Sequence, residues 1–519
     1  MGRPRVGRSE GSGHGMYENL RYRRGFLLTE GSDVDAPDPV ADWEAVALGR
    51  FVLRTHPDLR RAVAGRGETH VVCLGRVFDP IGGVADVDAV LATLQDRLTD
   101  SDERFLDYLD RLGGRFVLLV VTDDRAVAVG DATGTRALFY DDTPTRCVLA
   151  SHPEIVAEMG GYERTAGAAR ILDAEAPWFP GIATPYDEVK LLTPNTLLVL
   201  PETDVRRFFP RGPLPSTSLT DDLVAEVADV FTASVRLLDR QADLSLSLSA
   251  GLDSRLSLAA TRDRADEVQY TTWVTGEADA EVATVRDLCE ELGVDCAITD
   301  LSTDPDEAFR EVFMHNTSGM SRWNRCRNAY NLHRRSRPDG DAVGIRSNVA
   351  EIARTFYRDR FAFLPDEAAP ETMAKLYAYE AQSDYVRDAY EEFVTRTDFD
   401  RATRYGYDPY DLFYWECRIG AWLSLWLLET SVAQEEVSLY NDRWLLKRML
   451  SVGYDRRRTD DLFYRVIRHL WPECLSVPIN PHEESRIPGA GTLDRVVSGA
   501  VLRAPAPAYM AVRKLRRRA

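Results

Sequence analysis

Lysine is nearly missing from this sequence, with four in 519 residues. None lies between Lys190 and Lys375, so the middle of the chain cannot hold the GxxxxGK[ST] phosphate loop, whose lysine contacts the phosphates. The GxGxxG dinucleotide fingerprint after a strand and the HExxH zinc motif are missing too, and the eight histidines show no ligand spacing. These absences exclude the commonest nucleotide loops and argue against a transition-metal site.

Cysteine pairs and long apolar runs are also missing. The seven cysteines are odd in number and form no CxxC pair, which argues against a disulfide framework or a zinc knuckle and favours a reducing compartment. The densest apolar stretch, 421–428, is far shorter than a membrane span of about 20 residues. Residues 1–15 lack the apolar core of a signal peptide. We expect a cytoplasmic protein without stable membrane insertion, with a flexible extension at 1–16 and Met16 as an alternative start.

The net charge is strongly negative. Acidic residues number 83 against 64 Lys and Arg, which gives −19, and so acidic a chain repels phosphate backbones. Nucleic acid is therefore not expected as the main ligand. Hydrophobic residues make up 44%, enough for sizeable cores, and the length predicts roughly two to four domains.

Two regions of different pattern follow one another. Over 17–200, short apolar and β-branched segments such as 115–121 alternate with turns, which is typical of a layered α+β domain. A proline-rich linker at 210–220 leads into alternating helices and strands up to Thr299, and this alternation predicts a parallel sheet with helices on both faces. Residues 306–470 are predicted to be mostly helical.

The segment Leu244-Ser-Leu-Ser-Leu-Ser-Ala-Gly-Leu-Asp-Ser-Arg255 is the most informative. It predicts a strand that passes through a turn of small residues into a helix, and such a turn presents N–H groups to an anion such as phosphate. Gly251 permits backbone angles denied to other residues, and the hydroxyls of Ser249 and Ser254 can donate to phosphate. A carboxylate beside a phosphate needs a bridging cation, so Asp253 is interpreted as a Mg²⁺ ligand. The alternative is an ordinary turn in which Asp253 and Ser254 cap the helix.

Ser249-Ala-Gly-Leu-Asp-Ser254 resembles the SGGxDS pyrophosphatase loop of asparagine synthetase and its relatives, with Ala250 in place of one glycine. The strand at 271–276 and the helix end at 289–293 follow in that family's order. The upstream half is similar to the class II glutamine amidotransferase domain that precedes this synthetase. Its NGEIYN, LxGxFA, RDxxGxxPLYY and SE segments resemble 71–79, 112–116, 130–140 and 150–151. In order, the resemblance spans residues 17 to 475.

The resemblance implies an α/β and α+β protein. An Ntn-hydrolase-like layered αββα domain, degenerate as a glutamine amidotransferase, would occupy 17–212. A doubly wound parallel-sheet ATP-pyrophosphatase domain with many helices would occupy 213–475, followed by a partly disordered tail at 476–519. A homodimer is a further expectation.

The same resemblance implies an AMP-forming ligase that uses ATP and Mg²⁺. AMP is attached to a small-molecule carboxylate, and ammonia or an amine then attacks the acyl-adenylate. Main-chain groups near Leu246 and Val274 would receive the adenine. The residues that would hold pyrophosphate and Mg²⁺ are Ser249, Gly251, Asp253 and Ser254.

The family's second loop, SGxGxDE, has a partial counterpart at Gly344-Ile-Arg-Ser-Asn-Val-Ala-Glu351. Glu351 aligns with the final glutamate, but Ala350 stands where the family has the aspartate that would share the magnesium with Asp253. Either Glu351 takes over the metal, or this site is altered. The other departures from the family pattern are Arg346, Ser347 and Asn348.

These departures leave alternatives open. Arg346 is an alternative phosphate ligand because its charge is fixed, and Gly344 and Asn348 would line the pyrophosphate site. Lys447 is the expected pyrophosphate-stabilising lysine. Alternatively, residues 344–357 are only a loop that caps a helix.

The amidotransferase nucleophile is not found. The family uses a cysteine that becomes the first residue after Met removal, so that its own α-amine acts as a base, whereas here residues Gly2 and Tyr17 follow the two candidate starts. The first cysteine, Cys73, falls in a predicted strand and is interpreted as a core thiol. We expect no glutamine hydrolysis, so the nitrogen comes from ammonia or an amine.

Two further clusters have structural interpretations. The aromatic residues between Phe413 and Trp426 have the helical spacing of a packed core, with a sugar platform as the alternative. Glu416 and Arg418 form a candidate buried ion pair or, alternatively, face the substrate. The basic end at 513–518 is expected to be solvated and disordered, with weak docking on anionic lipid as the alternative.

Three functions follow from this reasoning. The first is an ATP-dependent, AMP-forming amide ligase whose carboxylate substrate need not be aspartate. The second is a catalytically inactive nucleotide-binding scaffold of the same fold. The third is a different pyrophosphatase-loop enzyme such as a tRNA-modifying thiolase, which the lack of paired cysteines and of a basic face disfavours.

Overall fold

The computed structural model describes residues 17–31, 35–144, 146–274, 280–335, 342–481 and 498–516. The expected extension at 1–16 lies outside the described residues, as do Thr275, Gly276 and residues 517–519. Within the described ranges, no helix combines the length and the apolar character needed to cross a bilayer.

The first half of the chain forms two antiparallel six-stranded sheets. Its strands are β1 Phe26–Glu30, β2 Glu44–Leu48, β3 Phe51–Thr55, β4 Arg61–Arg66, β5 Thr69–Phe78, β6 Gly113–Val121, β7 Ala126–Gly130, β8 Phe139–Asp141, β9 Val148–Ala150, β10 Val189–Leu191, β11 Thr196–Leu200 and β12 Asp204–Arg207. One sheet has the order β10-β8-β9-β1-β3-β2, and the other has the order β12-β11-β7-β6-β5-β4. The predicted strands at 70–74, 115–121 and 197–200 are confirmed, and no end differs by more than four residues.

The two sheets share one apolar core. Phe26 and Leu28 of the first sheet pack in one cluster with Leu74 and Leu119 of the second, because alternate residues of each strand point to the same face. The helices of this half are α1 Val87–Asp100, α2 Asp102–Leu109, α3 Pro153–Gly160 and α4 Ala166–Asp173. Helix α1 covers β4 and β5, and α3 covers β8 and β9 from the other side. The predicted αββα layering is therefore confirmed.

The second half is built around a parallel five-stranded sheet. Its strands are β13 Asp243–Ser247, β14 Gln269–Val274, β15 Cys296–Asp300, β16 Ala342–Ile345 and β17 Glu435–Val437. They pair in the order β15-β14-β13-β16-β17, and every pairing is parallel. The order reverses at β13, as in a doubly wound sheet, and the predicted parallel sheet is confirmed.

Helices surround this sheet. They are α5 Asp221–Asp239, α6 Leu252–Ala260, α7 Ala280–Leu292, α8 Glu307–Asn316, α9 Trp323–Arg335, α10 Phe356–Arg360, α11 Pro370–Tyr377, α12 Asp384–Arg396, α13 Phe399–Thr403, α14 Pro409–Phe413, α15 Ser424–Thr430, α16 Arg443–Leu450, α17 Tyr454–Arg458, α18 Asp461–Leu470 and α19 Ala506–Arg516. A π-helical segment, Tyr414–Leu423, joins α14 to α15 without a break. Helices α5 and α6 pack on β13, where Leu244 and Leu246 are buried, whereas Ser245 and Ser247 point to the opposite face.

Two regions differ from the sequence prediction. Strands β16 and β17 lie in the segment that was expected to be mostly helical. The described part of the C-terminal tail contains α19, and the hydroxyl of Tyr509 donates to the carbonyl of Lys375 across 2.7 Å. This part of the tail therefore packs against the helices of the second half.

Candidate functional site

The small-residue loop follows the carboxyl end of β13. Because the strand order reverses at β13, the crevice between β13 and β16 at this end is where ligands bind in open α/β sheets. The segment after β16 faces the loop there. Ser257 on α6 and Ser347 after β16 are linked by a hydroxyl–hydroxyl contact of 2.8 Å. The structure thus brings the two predicted loops together.

The serines of the first loop bond to each other. The main-chain N–H of Ser249 donates to Oγ of Ser254 at 3.2 Å, and the two hydroxyl oxygens are 3.0 Å apart. The N–H of Gly251 donates to Oγ of Ser249 at 3.3 Å. The loop is therefore pre-ordered, with both hydroxyls held at the start of α6.

Two details of this loop differ from expectation. Gly251 has φ −78° and ψ 165°, an extended conformation open to any residue, so the expected special backbone angles are not used. Gly251 is itself the N-cap of α6 and no side chain caps the helix, which contradicts the capping alternative for Asp253 and Ser254. A Cβ at position 251 would instead lie 3.3 Å from Oγ of Ser249.

The guanidinium of Arg354 contacts three carboxylates. Its Nη1 lies 2.9 Å from Oδ1 of Asp253 and 3.5 Å from Oε1 of Glu351. Its Nε and Nη2 hold both oxygens of Asp460 at 2.8 and 2.7 Å. The predicted metal ligands Asp253 and Glu351 therefore meet at one guanidinium, joined by an acid that the sequence did not indicate.

Asp253 is poorly neutralised in this cluster. Burial raises its pKa to about 7, and although Arg354 opposes the shift, Glu351 and Asp460 add to it. The three carboxylates together raise the pKa of Arg354. One guanidinium facing three acids leaves an excess of negative charge, so the cluster can accept a further cation.

The donor set fits Mg²⁺. Carboxylate oxygens are hard ligands, and Mg²⁺ is usually held by one or two carboxylates together with substrate phosphates. Asp253 and Glu351, which both contact Nη1 of Arg354, are the two protein ligands that match this pattern.

A cavity of about 550 Å³ opens beside the start of α6. This volume lies in the range of small-molecule sites. Its wall is fixed by Arg255, whose buried guanidinium donates to the carbonyls of Cys474, Val477 and Pro478. The lining residues are Leu252, Arg354, Asp460, Tyr464, Arg468, Leu475, Val477, Pro478, Ile479 and Asn480.

Arg346, a predicted phosphate ligand, is instead part of an internal ion pair. Its guanidinium pairs with the buried Glu436, with Nε and Nη2 each 2.7 Å from Oε1. It also stacks on the rings of Trp273 and Trp426, at 4.1 and 5.2 Å from their centroids. Only 7% of Arg346 is exposed. Its guanidinium therefore forms an internal ion pair, and in this geometry it is not placed to bind phosphate.

The remaining predicted site residues are distributed around the crevice. Leu246 lies inside the parallel ladder, paired with Tyr270 and Ile345. Val274 ends β14, Gly344 lies in β16 and Asn348 begins the 3₁₀ turn Asn348–Ala353 that carries Glu351. Ala350 is fully buried, so no second acid reaches the cluster from that position.

Lys447 lies on α16, which packs against the same 3₁₀ turn. None of the ion pairs found among the described residues includes Lys447, and the position beside Asp253 is taken by Arg354. Arg354 is therefore the cation that the structure brings to the loop. Its signal in the sequence is its place three residues after Glu351, whereas Asp460 carries no local signal.

The proposed pair of Glu416 and Arg418 is wrong. Glu416 binds Arg207 through two contacts of 2.6 and 2.7 Å, both side chains being buried. Arg418 instead contacts aromatic rings, among them Trp178 and Trp422. Residues two apart on a helix point in different directions, which is why the pair does not form.

Two other interpretations are confirmed. Most of the large aromatic residues between Phe413 and Trp426, including Trp415, are buried in the core. Cys73 is fully buried on β5, and burial raises the pKa of its thiol to about 12. Cys73 therefore has the environment of a core thiol.

Comparisons with known proteins add little to this geometry. No protein-family model and no curated protein matches the sequence. Among solved structures, glutamine phosphoribosylpyrophosphate amidotransferase from B. subtilis, complexed with ADP and GMP, is similar over 72% of this chain and 75% of its own, with 10% identity and a TM-score of 0.23. An allosteric regulatory enzyme of purine biosynthesis matches 56% of this chain and 77% of its own, with 9% identity and a TM-score of 0.24. At these scores the likeness supports no functional argument.

Proposed function

We propose that this chain is an ATP-dependent, AMP-forming ligase that adenylates a small-molecule carboxylate for attack by ammonia or an amine. The observation that carries the proposal is the convergence of Asp253 and Glu351 on Arg354. These acids come from two loops at the carboxyl ends of β13 and β16, the switch point where open α/β sheets bind ligands.

The proposed reaction has two steps. A carboxylate oxygen attacks the α-phosphorus of ATP, the bond from that phosphorus to the bridging oxygen breaks, and pyrophosphate leaves with the electron pair. The amine nitrogen then attacks the acyl carbon and loses a proton, and AMP leaves with its oxygen. Catalysis needs positioning and stabilisation of the charge that develops on the leaving pyrophosphate.

The loop offers donors for that charge. The N–H groups in the first turn of α6 point towards an anion at its N-terminus, and the hydroxyls of Ser249 and Ser254 lie beside them. Arg354 adds a fixed positive charge at the same place. Main-chain groups near Leu246 and Val274 would receive the adenine.

Mg²⁺ would be held by Asp253 and Glu351 and would neutralise phosphate charge when bound. The protein's part is to keep these two carboxylates together and to ionise Asp253. Because the pKa of Asp253 is raised to about 7, ionisation is incomplete at neutral pH until another cation approaches.

The nitrogen source is proposed to be free ammonia or an amine substrate. The segment that leads into β1 reads Tyr22-Arg-Arg-Gly25 and holds no cysteine. The thiol of Cys73 has a raised pKa and is enclosed by the core, whereas a nucleophilic cysteine needs a lowered pKa and access.

Pyrophosphate and AMP formation from Mg-ATP tests this proposal. Each of a panel of carboxylates is supplied with hydroxylamine, which converts an acyl-adenylate to a hydroxamate. We expect a stimulating carboxylate to yield all three products, and Asp253→Asn to lower the rate at least about 100-fold. Asp263→Asn, an exposed acid just beyond α6 paired with Arg236, is the matched control. Equal rates in wild type and Asp253→Asn exclude the proposed chemistry.

A nucleotide-binding scaffold without turnover is the second candidate. The buried Ala350 in place of a second acid and the position of Arg354 on both proposed metal ligands favour it. It predicts ATP binding by titration calorimetry with no product from any carboxylate. Absence of ATP binding excludes both candidates.

A further inference from the structure

A second cavity, of about 470 Å³, lies between the two halves of the chain. One wall is the polar face of the parallel sheet, where Ser245, Ser247, Thr271 and Thr299 present hydroxyls beside the ring of Trp273. This face is unusual, because strands of parallel sheets are commonly apolar on both sides. The arginines that line the cavity are Arg23, Arg24, Arg60, Arg76 and Arg335.

Positive charge exceeds negative charge in this cavity. Its five arginines face only three carboxylates, those of Asp58, Asp243 and Glu435, although the whole chain carries −19. Glu435 is already bound by Arg76 at 2.8 Å and by Arg136, which does not line the cavity. Asp58 accepts from Arg23 at 2.6 Å.

Two of these arginines also donate to main-chain carbonyls. Arg24 donates to the carbonyl of Ser431, and Arg335 donates to that of Asp300 at 3.1 Å. Such bonds satisfy N–H groups without cancelling charge; Glu435 and Asp58 act on the charge of Arg24, and the carboxylate of Asp300 acts on that of Arg335. The pKa of Arg24 is nevertheless lowered to about 10, by burial first and by Arg23 next.

We propose that this cavity binds a compact small molecule with at least two negative charges, supplied by carboxylate or phosphate groups. Arg24 at the inner end and Arg335 at the exposed rim would bind its oxygens, since guanidinium groups match both chemistries. The hydroxyls of Ser247 and Thr271 would donate from the sheet. The volume suits such a ligand.

This site is separate from the acid cluster at Arg354, although Ser247 and Trp273 in its lining are chain neighbours of Leu246 and Val274. None of its lining residues belongs to the cluster of Asp253, Glu351 and Arg354. The proposal therefore does not depend on the ligase activity, and it is tested without nucleotide or magnesium.

Titration calorimetry at constant ionic strength tests it with three probes. Glutarate and valerate have the same chain length but differ by one carboxylate, and inorganic phosphate gives the other chemistry. We expect glutarate or phosphate to bind at least about tenfold more tightly than valerate, a difference of about 1.4 kcal/mol. Whichever of the two dianions binds more tightly identifies the chemical class of the ligand, carboxylate or phosphate.

Variants locate the site. Arg24→Gln should weaken dianion binding at least about tenfold and Arg335→Gln about threefold. Arg236→Gln, the same change at an exposed arginine paired with Asp263, should change it less than about twofold. Arg335 is exposed, so its variant should fold even if Arg24→Gln does not. Binding of glutarate and of phosphate no tighter than that of valerate, or unchanged binding in Arg335→Gln and in a folded Arg24→Gln, overturns the proposal.

Discussion

Arg354 and Asp253 are 101 residues apart in sequence, and Nη1 of one lies 2.9 Å from Oδ1 of the other. This contact connects the loop after β13 to the turn after β16. It also places a permanent cation beside Asp253, the side chain that was interpreted from the sequence as a Mg²⁺ ligand. The charge balance of the crevice is therefore set by one arginine and three acids.

Asp253 should make stability depend on pH. Its pKa is about 7 in the folded chain against an ordinary value of 3.8, so the folded state binds the proton more tightly than the unfolded state. That stabilisation is complete below about pH 4 and is lost as the pH rises through 7, at about 1.4 kcal/mol per unit. Urea unfolding of wild type and Asp253→Asn at pH 5 and pH 8 measures this difference. A wild-type advantage that grows with pH contradicts the assignment.

The pair of Arg207 and Glu416 should be important for folding. Both side chains are buried, so Glu416→Gln leaves an unneutralised guanidinium and should lower the free energy of unfolding by about 3–5 kcal/mol. Asp204→Asn removes an exposed partner of Arg206 and should cost less than about 1 kcal/mol. Denaturant titration compares them. Similar losses in the two variants would show that burial does not govern the strength of this pair.

Arg346 should act as a structural cation. Arg346→Met leaves the buried Glu436 without its ion-pair partner, and we expect a loss of about 3–5 kcal/mol in the free energy of unfolding. Adding Glu436→Gln should recover part of that loss, because the unpaired charge is then removed. If instead Arg346→Met unfolds like wild type and weakens ATP binding at least about tenfold, Arg346 is a phosphate ligand.

Gly251→Ala should be tolerated. Its φ of −78° is open to alanine and the nearest atom to a Cβ is a serine hydroxyl at 3.3 Å, so the melting temperature should change by only about 2 °C. Gly114→Ala is the contrast, because φ is +119° and the Cβ would lie 2.2 Å from the carbonyl of Arg76. Thermal unfolding followed by circular dichroism compares the two. Comparable losses would mean that position 251 needs glycine for another reason.

Local patterns were enough to predict much of the fold. The helix at 221–238 has apolar residues at helical spacing, and the structure forms α5 over Asp221–Asp239. Strand β17 was missed because two of its three residues are glutamates. Their charges are balanced by Arg76, Arg136 and Arg346, which lie far away in the sequence, and a local pattern cannot show that balance.

The candidate site was predicted only in part, because a local pattern cannot show contacts between residues that are distant in the sequence. Asp253 and Glu351 come from recognisable loops, and they do meet. The partners that join them, Arg354 and Asp460, follow from three-dimensional packing. The polar sheet face was readable in the alternation of serine and leucine from Leu244 to Ser249, since period-two alternation indicates one apolar and one polar side.

Glu435 makes the two halves of the chain electrically dependent on each other. Its carboxylate lies in β17, but the cations that hold its pKa at about 2 against the effect of burial, chiefly Arg136 and Arg76, come from the half with the two antiparallel sheets. A shortened chain that began at Pro213 would keep the acid and lose both cations. The first half of the chain therefore supplies the counter-charge that a buried acid of the second half needs.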